Sequence, residues 1–282
     1  MLCRRILGFG AGRQRAGAAV LLAGVLAVTA CGPTGSDPAG TDARPSGASD
    51  PAGGLSGSLT VFAASSLTES YTALVDAFMD ANPDVDVRLN FAGSAELVAQ
   101  IAAGAPVDVI ATADASSIAE AIDAIDALDA SDEPAPQSVR FATSTLQIVV
   151  EAGNPLAITS LADLADPDVV VVLCDESVPC GRYAAQALDA LKVTLMPASR
   201  EQSAKAVMSK VLLGEADAGI AYRTDVVAAG DAVTGIALPN ALGVMVEYWM
   251  AARDSALAAA FAAFVLGAVG QETLASYGFG AP

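Results

Sequence analysis

The sequence predicts an α/β protein built as two lobes, each a mostly parallel sheet flanked by helices. Three observations carry that expectation. From residue 59 to residue 130, short apolar runs alternate with segments whose apolar residues recur at helical spacing. That β-α-β-α-β-α order implies a parallel sheet covered on both faces. A turn-rich stretch at residues 131–137 breaks the pattern, and a second alternation follows it. Hydrophobic residues make up 54% of the 282, mostly aliphatic, which is ample material for the buried core such lobes need.

Each element has its own reason. Residues 59–64 form a short apolar run suited to a buried parallel strand. Leu67, Tyr71, Leu74, Val75, Phe78 and Met79 then recur as the face of a helix, which Asn82-Pro83 stops. Residues 85–91 alternate as a strand, Leu97, Val98 and Ile101 mark a second helix ending near Gly104, and 107–111 form a third strand. Residues 115–130 are an Ala/Ile/Asp-rich helix. Beyond the break, 141–150 read as one long strand and Asn154-Pro155 as a turn. Residues 169–173 form a strand that leads through a loop at 174–181 into a helix over 182–191. Residues 199–213 read as a helix, 218–222, 235–238 and 244–250 as strands, and 255–269 as one strongly apolar helix.

Charge and composition exclude several function classes. The formal charge is -18, and the first 30 residues carry Arg4, Arg5, Arg13 and Arg15 with no acid, which leaves 10 basic against 32 acidic residues, or -22, in the remainder. Nucleic acid and anionic membrane surfaces are poor partners for such a field. The chain has no His, so the commonest general base, the usual zinc ligand and every Ser-His or Cys-His pair are missing. Aromatics are only 5%, which disfavours a cage for a quaternary amine or a stacking platform for bases.

The N-terminus reads as an address. Its arginines form a basic region, and residues 16–28 are an apolar stretch too short for a permanent span. They run into Val28-Thr29-Ala30-Cys31-Gly32, which resembles the lipobox of bacterial lipoproteins, in which the Cys is acylated and becomes the first mature residue. Residues 1–30 are therefore expected to be a signal peptide, with Cys31 lipid-bearing. Residues 31–57, rich in Gly, Pro, Ser, Asp and Ala, are expected to be a disordered tether. Cys174 and Cys180 remain as an even pair in an oxidising compartment, either a disulfide or two free buried thiols.

Parallel α/β sheets bind ligands beyond the carboxyl ends of their strands. Three such junctions carry small polar residues: Ala64-Ser65-Ser66-Leu67-Thr68-Glu69, Phe91-Ala92-Gly93-Ser94-Ala95-Glu96, and residues 174–182. Ser66 with Glu69 reads as a capping box, and Ser94 as an N-cap before Glu96. The other reading of the same places is an oxyanion site, because helix N-termini offer unpaired N–H groups and a positive dipole end without any Lys or Arg.

These segments resemble the molybdate-binding proteins of ABC importers, a branch of the two-lobed periplasmic binding proteins (type II), with the ligand cleft between the lobes. The resemblance rests on Thr60-Val-Phe-Ala-Ala-Ser-Ser-Leu-Thr68, on Phe91-Ala-Gly-Ser94 with Gln100-Ile-Ala-Ala-Gly-Ala-Pro-Val-Asp-Val109, and on Val178-Pro-Cys-Gly-Arg-Tyr-Ala184. Gly214-Glu-Ala-Asp-Ala-Gly-Ile-Ala-Tyr222 and Tyr277-Gly-Phe279 complete it, in order, over essentially the whole mature chain. It implies a lobe one of residues 58–137 plus 239–282 and a lobe two of 138–238, joined by two hinge crossings. It implies an extracytoplasmic, lipid-anchored monomer that hands molybdate to an ABC permease, with no catalytic residue and no cofactor. Ser66 and Ser94 would each give a hydroxyl and an N–H, and Tyr222 its phenol. Cys180, where the family often has Ala, would give its N–H. So would Ala204, where the family often has Val, although Ser199 with Gln202 reads as a capping box that starts this helix earlier.

Two rivals stay open. The same fold could hold another oxyanion, tungstate or sulfate. A secreted enzyme could use Ser66 or Ser94 as nucleophile, but its base would have to be Lys192, Lys205 or Lys210, all in the other lobe.

Overall fold

The computed structural model describes residues 54–129, 134–239 and 243–282. The expected signal peptide, Cys31 and the tether up to residue 53 lie outside the described residues.

Two five-stranded sheets form the frame. The first contains β1 (Gly57–Ala64), β2 (Val85–Ala92), β3 (Val109–Thr112), β4 (Ser138–Ser144) and β10 (Val246–Ala252), in the order β2-β1-β3-β10-β4. The second contains β5 (Leu146–Glu151), β6 (Val171–Cys174), β7 (Ser199–Glu201), β8 (Ala218–Tyr222) and β9 (Val233–Ala237), in the order β7-β6-β8-β5-β9. In the first sheet β10 runs antiparallel to both neighbours, and in the second β5 does. These are the strands entered straight from the other lobe, β5 after β4 and β10 after β9. A parallel neighbour needs a long crossover, usually a helix, and a strand reached without one arrives in the opposite sense.

Helices cover the faces because their apolar residues recur every third or fourth position. α1 (Thr68–Ala81) buries Tyr71, Leu74, Val75 and Phe78, worth about 1.5–3 kcal/mol per large side chain. α7 (Ala256–Leu266) and α8 (Ala268–Ser276) pack on the same side, with Phe261 edge-on to Tyr71 and Phe78. α2 (Ser94–Ala102) and α3 (Ala115–Leu128) fill the opposite face with Leu97, Ile101, Ile118 and Ile125. α4 (Pro179–Leu191), α5 (Ala204–Leu212) and α6 (Arg223–Ala229) flank the second sheet. No single helix among the described residues is long and apolar enough to cross a membrane.

Three expectations need correction. The run at 141–150 is two strands in two different sheets, β4 and β5, separated at Thr145. β4 therefore hydrogen-bonds into the first sheet, although the expected second lobe begins at residue 138. The polar triplet Thr143-Ser144-Thr145 marks the passage, where Arg223 N–H donates to Thr145 O at 2.8 Å. The helix expected over 199–213 starts only at Ala204, because residues 199–201 pair with β6 as an edge strand, and Ser203 caps the helix by accepting from Ala206 N–H. The long apolar helix at 255–269 breaks at Gly267, whose extended backbone ends α7 and caps α8.

Candidate functional site

The carboxyl ends of β1, β2 and β3 in the first lobe face those of β6 and β8 in the second. Between them lies a small cavity. Ser66, Ser94, Cys180, Ala204 and Tyr222 all line it, and among the described residues no acidic or basic side chain does.

The backbone supplies four donors. Ser94 and Ala204 are the first residues of α2 and α5, Cys180 is the second of α4, and Ser66 lies in a 3-10 turn (Ser65–Leu67) that leads into α1. N–H groups in a helix's first turn have no acceptor inside the helix. Four such ends, two from each lobe, therefore present N–H groups and the positive ends of their dipoles to one small volume.

The two serines do not cap their helices; neither side chain bonds into its own first turn. Ser66 Oγ instead accepts from Tyr248 OH at 3.0 Å, and Ser94 Oγ from Ala113 N–H at 3.3 Å. With the oxygens occupied as acceptors, each hydroxyl proton is free to be given to a ligand. Glu69, read as the partner of Ser66 in a capping box, reaches across the cleft to Lys205 Nζ at 2.5 Å. Tyr248, which sets Ser66, is wedged edge-on against Phe141, Tyr222 and Phe279, so the C-terminal Tyr-Gly-Phe run supports the site from behind.

Lobe two brings its donors through rigid local structure. Cys174 and Cys180 are joined by a disulfide that ties the end of β6 to the first turn of α4. The loop is so tight that a Cβ on Gly181 would stand 1.9 Å from Asp175 O. Arg182 clamps this loop to lobe one: its Nε donates to Asp114 Oδ2 at 2.9 Å and its Nη2 to Ser117 Oγ at 3.1 Å. Tyr222 ends β8 with its ring buried, and burial raises its phenol well above its ordinary value, so it stays a protonated donor. Three residues on, in the first turn of α6, Asp225 is buried beneath this site. Desolvation pushes its carboxyl up from 3.8 to about 7, against the opposing pull of Lys205 and the Tyr222 N–H, neither of which closes a full hydrogen bond to it.

Gly93, Gln202 and Ser203 also line the cavity, although the sequence gives none of them as a site residue. Ser203 could have been found as the N-cap immediately before Ala204, had Ser199 not offered an earlier start.

Comparison with known proteins supplies an independent line. Residues 59–280 match the bacterial extracellular solute-binding protein family. The molybdate-binding protein ModA of Mycobacterium tuberculosis is 39% identical over 83% of this chain and 90% of its own length. That of Escherichia coli is 30% identical over 79% and 89%. Among solved structures, the Azotobacter vinelandii periplasmic molybdate-binding protein superposes with a TM-score of 0.66 at 19% identity, covering 79% of this chain and 99% of that one, which is a likeness of fold.

Proposed function

Since the chain belongs to the bacterial extracellular solute-binding protein family, we propose that it captures molybdate outside the cytoplasm and delivers it to an ABC permease. It is a binding protein and not an enzyme. The observation that carries the ligand class is a cavity lined by uncharged groups among the described residues, with both serine oxygens already accepting from protein donors.

Such a site suits a fully deprotonated tetrahedral oxyanion. Each ligand oxygen accepts from N–H and O–H groups, and no counter-ion is required. In this reading Ser66 and Ser94 each donate a hydroxyl and an N–H, Cys180 and Ala204 each donate an N–H, and Tyr222 donates its phenol. Phosphate keeps a proton near neutral pH and calls for an acceptor carboxylate, and no acidic side chain is in this lining among the described residues. The acidic surface is no obstacle, because it is screened beyond a Debye length of ~8 Å while the donors touch the ligand. Tungstate, which matches molybdate in size and charge, fits the same donors.

Calorimetric titration with molybdate, tungstate, sulfate and phosphate tests this. Molybdate and tungstate should bind at least about tenfold tighter than sulfate, and phosphate not at all at pH 7. Sulfate binding tighter than molybdate would overturn the assignment.

The N-terminal reading completes the proposal: cleavage before Cys31 and lipid on its thiol, which would hold a monomer at the outer face of the cell membrane. Cys31→Ala should shift the protein from the membrane fraction to the soluble fraction or leave it uncleaved. An unaltered mature protein that is soluble without detergent would contradict this part.

A further inference from the structure

We infer that Gly93 is the positioning residue that lets the two lobes close fully on the anion, an inference that rests on the oxyanion-binding reading above. Gly93 caps α2 and Ser203 caps α5, and these two N-cap residues meet across the cleft from opposite lobes. At φ -61° and ψ 143°, the Gly93 backbone has a conformation any residue adopts, so its own geometry does not call for glycine. The other lobe does. A Cβ at this position would stand 2.5 Å from Gln202 O, 3.6 Å from Gln202 C and 3.7 Å from Ser203 Cβ. Ordinary contact begins near 3.5 Å, so the lobes would have to part by about 1 Å.

The obstructing atom cannot swing aside as a side chain would. It is a backbone carbonyl in the turn between β7 and α5, and the preceding peptide is held by the Asp175 N–H donating to Glu201 O at 2.8 Å. The contact is thus a hard stop that sets how far the lobes approach. One residue beyond each cap lie the Ser94 and Ala204 N–H groups, which converge on the cavity from opposite sides. Bringing two positive helix ends together is unfavourable unless an anion sits between them. Ligand and close approach therefore depend on each other, and a methyl group at residue 93 interrupts the second. The cross-cleft pair Lys205–Glu69 spans the same gap with partly exposed side chains, which can adjust to a small parting of the lobes.

Gly93→Ala and Gly93→Ser are the test, measured on the lipid-free mature chain with the four anions named above. Molybdate affinity should fall at least about hundredfold, the cost of misplacing two or more donors to a charged ligand. The loss should appear in the dissociation rate, with association changed less than about threefold, because encounter precedes closure. Small-angle scattering should show the parent contracting on adding molybdate and the variants failing to contract. Melting of the ligand-free variants should be unchanged or slightly higher, since the open protein has no clash. Parent-like affinity with full contraction would overturn the inference alone. So would loss of the ligand-free melting transition in both variants, which would make Gly93 a residue of the fold. If the unaltered protein binds none of the four anions, the functional reading fails and this inference fails with it.

Discussion

Removing the Tyr222 hydroxyl should weaken molybdate binding about ten- to hundredfold while leaving the fold intact. Tyr222 is only 3% exposed, yet it lines the cavity, and its hydroxyl makes no hydrogen bond within the protein among the described residues. A buried phenol of this kind is either an unsatisfied donor or one reserved for a ligand, and the raised pKa that burial imposes keeps its proton in place. A hydrogen bond to a charged partner is worth about 1.5–3 kcal/mol, which gives the expected loss. Tyr222→Phe keeps the ring and so its edge contact with Tyr248, 6.0 Å between centroids. Ser94→Ala is a less clean substitution, because it also strands the Ala113 N–H. Calorimetry on the folded variant, with melting curves beside it, decides the matter. Parent-like affinity would make Tyr222 a core residue and the lobe-two half of the site wrong.

Folding stability should decline as pH rises from about 4 to above 7, and Asp225→Asn should remove most of that decline. The sign follows from linkage. Burial raises the Asp225 carboxyl from 3.8 to about 7 in the folded protein. Below the unfolded value both states hold the proton, and the full stability is present. Between the two values the unfolded chain releases its proton and the folded chain does not, so each pH unit costs up to ~1.4 kcal/mol. Three units set a ceiling of about 4 kcal/mol, lost by the time pH passes the folded value. Asp163, Asp175 and Glu201 behave oppositely: hydrogen bonds hold their carboxyls below their ordinary values, so their contribution disappears only in more acid solution. Denaturant unfolding at pH 5 and pH 8 should separate parent and variant. Parallel pH profiles for the two would show that Asp225 is not the group responsible.

Much of this protein can be read from the chain alone, because much of it is local. The apolar runs of β1 and β3, the helical recurrence of Tyr71, Leu74, Val75 and Phe78, and the strand-to-helix junctions at Ser66 and Ser94 all depend on residues within a few positions of one another. A donor that is a helix's first N–H is a local property too, which is why Ser94 stands out in the sequence, whereas Cys180 is named only through the family resemblance. The disulfide lies six residues apart in sequence and was open only between bridge and free thiols.

Tertiary structure decided wherever a residue's partner is distant. Apolar periodicity says that 141–150 is extended but not that its two halves hydrogen-bond into different sheets, since sheet membership depends on which strand lies alongside. Ser199 carries a good capping signature, yet pairing with β6 outweighs it and moves the helix start to Ala204. Ser66 and Ser94 also look like caps. What leaves their hydroxyl protons free for the proposed ligand is Tyr248, 182 residues away, and Ala113, 19 away, which occupy their oxygens. Gly93 shows nothing unusual in its own dihedrals, and Asp225 is an ordinary first-turn acid by position. The first matters because a carbonyl of the opposite lobe lies where its side chain would be. The second matters because the surrounding fold excludes water from its carboxylate. Steric exclusion and desolvation are properties of what surrounds a residue, and no window of sequence contains them.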